Sequence, residues 1–107
     1  MSPDPKMLDE LVRRTVEAVH PLRIVLFGSA ARGAMGAHSD LDALVVVRDG
    51  SHCLAAMQTL HGSLSELGIA KDIVVVQASD VERYGRNPYL IIHSALSQGK
   101  EVYRAAS

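Results

Sequence analysis

The stretch from Leu26 to Val47 constrains this chain more than any other. One apolar run ends in Gly28-Ser29, and a glycine-bearing connection follows. A second run, Ala43-Leu44-Val45-Val46-Val47, is opened by Asp40-Leu41-Asp42. Side chains alternate faces along a strand, so Asp40 and Asp42 project to one side and Leu41 to the other. Two carboxylates on one face of a strand point to a metal site. The rest of the chain reads as support for that arrangement.

At 107 residues the chain falls in the range of one domain with a modest core, and residues 1–107 are expected to form a single domain. The net charge is −1 and the pI about 6.5, which gives no support to broad capture of nucleic acid or an anionic membrane. Direct nucleic-acid binding is therefore not expected. Cys53 is the only cysteine and the five histidines are scattered, so neither a disulfide nor a zinc site is indicated. No apolar run approaches the ~20 residues that span a bilayer, and Met-Ser-Pro-Asp-Pro-Lys does not resemble a signal peptide. A cytoplasmic protein without a membrane partner is the expectation.

Asp4 can cap a helix that begins at Pro5. Leu8, Leu11, Val12, Thr15, Val16 and Val19 give it an apolar stripe, with Arg13, Arg14 and Glu17 on the other side and Pro21 closing it. Leu22–Phe27 reads as the first core strand and Leu41–Val47 as the second, with Asp49-Gly50-Ser51 as a turn. A second helix is expected from His52, with Leu54, Met57, Leu60, His61, Leu64 and Leu67 on one face and Gly68 as its stop. Lys71-Asp72 leads into a third strand, Ile73–Val76. Ser79-Asp80-Val81-Glu82 matches a capping box for a short helix ending at Gly85. Asn87-Pro88 starts another helix that carries Leu90, Ile91, Ala95 and Leu96 and ends at Gly99. Glu101–Arg104 reads as an edge strand.

If the strands of Asp42 and Asp72 lie side by side, Asp40, Asp42 and Asp72 can converge at one end of the sheet. Such carboxylates repel one another, and a divalent cation is the natural compensation. Oxygen-only ligands favour Mg²⁺, or Mn²⁺, over zinc, and Mg²⁺ completes its shell with water and phosphate oxygens. Gly28 lets phosphate approach the backbone, and the free N–H groups of the turn that follows, together with the Ser29 hydroxyl, can bind its oxygens. Arg32, one helical turn on, can add a charge-assisted contact. Neither Gly-x-x-x-x-Gly-Lys-Ser/Thr nor Gly-x-Gly-x-x-Gly is present. Taken singly, these features have plainer readings: a solvated Asp-x-Asp turn, a surface acid beside Lys71, a strand-ending Gly-Ser turn, a solvated arginine. Their coupling is what carries weight.

Gly28-Ser29, ten intervening residues, Asp40-Leu41-Asp42 and then Asp72 before a later apolar strand together resemble the signature of the DNA polymerase β-like nucleotidyltransferases. The wording Leu-Phe-Gly-Ser-Ala-Ala-Arg-Gly and Ser-Asp-Leu-Asp, in so short a chain, is most similar to the minimal nucleotidyltransferases that act as antitoxins beside HEPN-domain toxins. The resemblance covers nearly the whole chain. It implies an α/β (α+β) nucleotidyltransferase fold, a mixed central sheet flanked by helices. It also implies an enzyme that moves AMP from ATP to a hydroxyl, the tyrosine of a HEPN toxin partner. By the same resemblance Asp40 and Asp42 hold two Mg²⁺ ions, Asp72 completes one metal site and orients the attacking hydroxyl, and Gly28, Ser29 and Arg32 bind the nucleotide. Two other functions stay open: an antitoxin that neutralises by contact alone, and a transferase acting on a small molecule of the aminoglycoside type. Oligomeric state is open as well.

Overall fold

The computed structural model describes residues 5–28, 41–68, 71–87 and 91–106. In chain order these form α1 (Pro5–Val19), β1 (Arg23–Phe27), β2 (Leu41–Val47), α2 (Cys53–Leu64) and a 3-10 turn (Ser65–Leu67). Then come β3 (Lys71–Gln77), α3 (Ala78–Tyr84), α4 (Ile91–Gln98) and β4 (Lys100–Arg104). The four strands make one mixed sheet in the order β3-β2-β1-β4. Strands β1 and β2 are antiparallel, as are β1 and β4, whereas β2 and β3 are parallel. The mixed sheet flanked by helices is the expected fold class.

Strand alternation divides the core in two. Leu26, Leu41, Ala43, Val45, Val47, Ile73 and Val75 point to the face covered by Leu11 of α1 and by Leu60 and Leu64 of α2. Val25, Phe27, Leu44, Val46 and Val76 point to the other, against Ile92 and Ala95 of α4, with Ala78 and Val81 of α3 alongside. Helices therefore cover both sides of the sheet, and the central strand β2 reads as a continuous apolar run because neither of its faces meets water.

Several local expectations shift. The first helix ends at Val19, ahead of Pro21 as expected; there His20, with a φ of 47°, turns the chain out while its N–H still reaches the Val16 carbonyl at 3.0 Å. Arg14 lies at the α1–α2 seam, where it donates to the Ser63 carbonyl at 3.0 Å and pairs with Glu10 and Glu66, so it is not a solvated charge. On α2 the buried stripe runs through Cys53, Ala56, Met57, Leu60 and Leu64, while Leu54 is 59% exposed and His61 is also exposed. Met57, Leu60, Leu64 and Leu67 keep the expected face, but Cys53 and Ala56 complete it in place of Leu54 and His61. Cys53 packs as a small apolar residue, and burial pushes its thiol pKa up, with Asp80 adding to the rise.

The capping box of α3 also lies two residues earlier than the sequence pattern suggests. Gln77 is the N-cap, its N–H donating to Asp80 Oδ2 at 3.0 Å, and Asp49 from the β2–α2 turn accepts from Ser79 N at 2.8 Å. Helix α4 ends at Gly99, where a Cβ would stand 2.7 Å from the Leu26 carbonyl and 2.6 Å from Val25 Cγ1. Only glycine lets that corner press against β1. The expected roles of Asp4, Pro88 and Leu90 fall outside the described residues.

Candidate active site

Strand β1 leaves the sheet at the end where β2 and β3 enter it, because β1 is antiparallel to β2 and β2 is parallel to β3. The register is specific there: Phe27 pairs with Asp42, and Asp42 pairs with Asp72. Register partners on adjacent strands sit about 4.8 Å apart and project to the same face. For Asp42 and Asp72 this is the face of Leu44, Val46 and Val76, under α3 and α4. Asp42 is half-buried and Asp72 exposed, so the pair lies at a sheet end open to a ligand.

Gly28 closes the third side. Its φ is 63°, and a Cβ built on it would collide with Asp42 Oδ2 and stand 3.4 Å from Asp42 Cγ. The Asp42 carboxylate therefore occupies the space that any other residue at position 28 would fill. The strand-ending glycine thus opens room for a carboxylate as well as for an approaching ligand. Lys100 stands at the same sheet end, paired in register with Leu26 across β1. Its placement could not be read from the sequence, because it depends on β4 returning beside β1.

The structure thus brings together Gly28, Asp42 and Asp72. Ser29, Arg32 and Asp40 lie outside the described residues. Among the described residues no group of three or more His, Cys, Asp and Glu gathers as a cation cage. The donor set that is described, two register-paired carboxylates beside a glycine-opened approach, has the oxygen-only chemistry that suits Mg²⁺ or Mn²⁺ and does not suit zinc. Two histidines turn out to serve the backbone: His52 Nδ1 accepts from Ala55 N at 3.1 Å as the N-cap of α2, and His93 Nδ1 lies 2.9 Å from the Gly85 carbonyl, joining α4 to the end of α3. No helix among the described residues is long and apolar enough to cross a membrane.

Comparison with known proteins agrees with this architecture. The structure is similar to a crystal structure described as a toxin–antitoxin with AMP-PNP, with a TM-score of 0.69 at 19% identity over 92% of this chain and 73% of that one. Two mutant forms of the toxin–antitoxin MntA–HpeT give TM-scores of 0.62 and 0.61 at 19% and 22% identity, each over 96% of this chain and about three quarters of the other. At these identities the likeness is one of fold. A search of curated proteins gives no match. The family model for the nucleotidyltransferase domain matches residues 6–100, nearly the whole chain, and the chain belongs to the nucleotidyltransferase family of enzymes.

Proposed function

We propose that this chain transfers AMP from ATP to a hydroxyl group on a partner toxin, the tyrosine of a HEPN-type protein, and acts as its antitoxin. The observation that carries the reading is the register pairing of Asp42 with Asp72 beside Gly28. Support for the substrate comes from the AMP-PNP in one structural neighbour, and support for the partner from the toxin–antitoxin character of all three.

Asp40, Asp42 and Asp72 would hold the divalent cations, and Gly28 and Ser29 would seat the β- and γ-phosphates on their backbone N–H groups, with Arg32 adding a charged contact. When bound, Mg²⁺ neutralises the triphosphate and polarises the α-phosphoryl group. Asp72 orients the acceptor hydroxyl and takes up its proton. The hydroxyl oxygen bonds to the α-phosphorus as the bond from that phosphorus to the bridging oxygen breaks in line, and pyrophosphate leaves with the electron pair.

Incubation of the chain with ATP labelled at the α-phosphate, Mg²⁺ and the protein encoded beside it tests the reading. Label is expected on a partner tyrosine, falling at least a hundredfold with Asp42→Asn or Asp72→Asn. Full neutralisation of the partner by Asp42→Asn without transfer would replace the enzyme with a binding antitoxin. Label on a small aminoglycoside in place of the protein would reassign the acceptor.

A further inference from the structure

At the opposite end of the sheet from Asp42 and Asp72, about 20 Å along β2 at ~3.3 Å per residue, a cleft of about 490 Å³ is lined by Leu22, Arg23, Arg48, Arg104, Ala105 and Ala106. Of the six described residues that line it, three are arginines and none is acidic. In a chain whose net charge is −1, this concentration of positive charge is local.

The arginines are held in place without being used up. Glu101, beside the cleft, accepts from Arg23 Nε at 2.7 Å and from Arg104 Nε at 3.2 Å, and also pairs with Arg104 Nη2 at 3.0 Å. Arg48 donates from Nη1 to the His20 carbonyl at 3.3 Å. Each guanidinium carries five N–H donors in a rigid fork, and the contacts among the described residues use only some of them. Among the described residues, one carboxylate faces three guanidinia, so positive charge is in excess there. The backbone beneath is tied down by Ala105 N to the Leu22 carbonyl at 2.8 Å and Leu22 N to the Val46 carbonyl at 2.7 Å, so the forks stand on a fixed floor. That floor, Leu22, Ala105 and Ala106, is apolar.

We propose that this cleft is a second ligand site, separate from the candidate active site, which binds a small phosphate-bearing molecule. Planar guanidinium forks match phosphate oxygens bidentately, and the volume falls within the range of small-molecule pockets. The size of the cleft and its apolar floor favour a compact phosphorylated ligand over an extended nucleic-acid backbone.

The test is titration of the intact chain with pyrophosphate and with AMP in EDTA, followed by calorimetry and by amide NMR. Saturable binding is expected, with shifts concentrated at Leu22, Arg23, Arg48 and Arg104 to Ala106. Arg48→Ala should weaken it roughly tenfold or more, the equivalent of one charge-assisted contact. Arg48→Lys should recover only part of that loss, and the shifts at the cleft should be the same in Asp42→Asn. Shifts confined to Gly28, Asp42 and Asp72, affinity indifferent to Arg48→Ala, or no saturable binding would each overturn the proposal. Tighter binding of a short oligoribonucleotide than of AMP, falling steeply with salt, would overturn the small-ligand assignment in favour of nucleic acid.

Discussion

At Gly28 a side chain would meet two separate costs. The φ of 63° costs an L-residue about 1–2 kcal/mol, and the new Cβ would collide with Asp42 Oδ2. The two can be told apart, because Asp42 Cβ would be 3.7 Å from that methyl, an ordinary contact. Gly28→Ala is expected to destabilise the chain in either background, but by about 1 kcal/mol more when Asp42 is intact than in Asp42→Ala, a coupling typical of residues in contact. Chemical denaturation of the four proteins of the cycle measures it. An additive cycle would mean that the Asp42 carboxylate simply swings aside and that position 28 does not place it.

Elements are tied to one another here through side chains whose sequence neighbourhood does not advertise them. Asp49 sits in a turn after β2, yet its carboxylate takes the Ser79 N–H in the first turn of α3. Helix N-termini leave such donors without intrahelical partners. Asp49→Ala is therefore expected to cost about 0.5–2 kcal/mol, as loss of a capping side chain does, visible as a lower denaturant midpoint. On α2, Leu60→Ala should cost about 2–5 kcal/mol, because a fully buried leucine leaves a cavity. Leu54→Ala, on the exposed side, should stay within about 0.5 kcal/mol.

That contrast marks how far the sequence could be read. The strands were plain in it, since β2 and β3 are apolar runs opened by acids, and the bounds of β2 coincide with Leu41–Val47. The edge of the buried stripe of α2 was not, because Leu54 and Cys53 are both apolar and which of them faces the core is set by tertiary packing. Nor was the start of α3, where Gln77, a residue of no strong capping preference, is the N-cap, its N–H bonded to Asp80 and the Ser79 N–H to Asp49. At the candidate site the spacing of Asp42 and Asp72 from their apolar runs was legible. The steric dependence of Asp42 on Gly28 was not, since it arises from a pairing between strands.

For the molecule as a whole, acid stability should depend on two glutamates that join separate parts of the fold. Glu101 links β4 to β1, with Arg104 and then Arg23 holding its pKa below the usual carboxylate value. Glu10 on α1 is lowered by Arg13 and Arg14, and Arg14 in turn reaches the Ser63 carbonyl on α2. A carboxyl whose pKa falls on folding binds fewer protons in the folded chain than in the unfolded one. Its contribution is therefore complete above the unfolded value, about 4.3 for Glu, and is lost as pH falls through the lower folded value. Both groups are close to solvent, so each contribution is modest and screened by salt. Equilibrium unfolding between about pH 6 and 3 should show stability dropping on the acid side, and Glu101→Gln should flatten that drop while lowering stability at neutral pH. A variant whose stability falls with acid as steeply as the parent's would show that the Arg23–Glu101–Arg104 bridge contributes nothing to holding β4 on the sheet, and would shift the acid sensitivity to the α1–α2 seam.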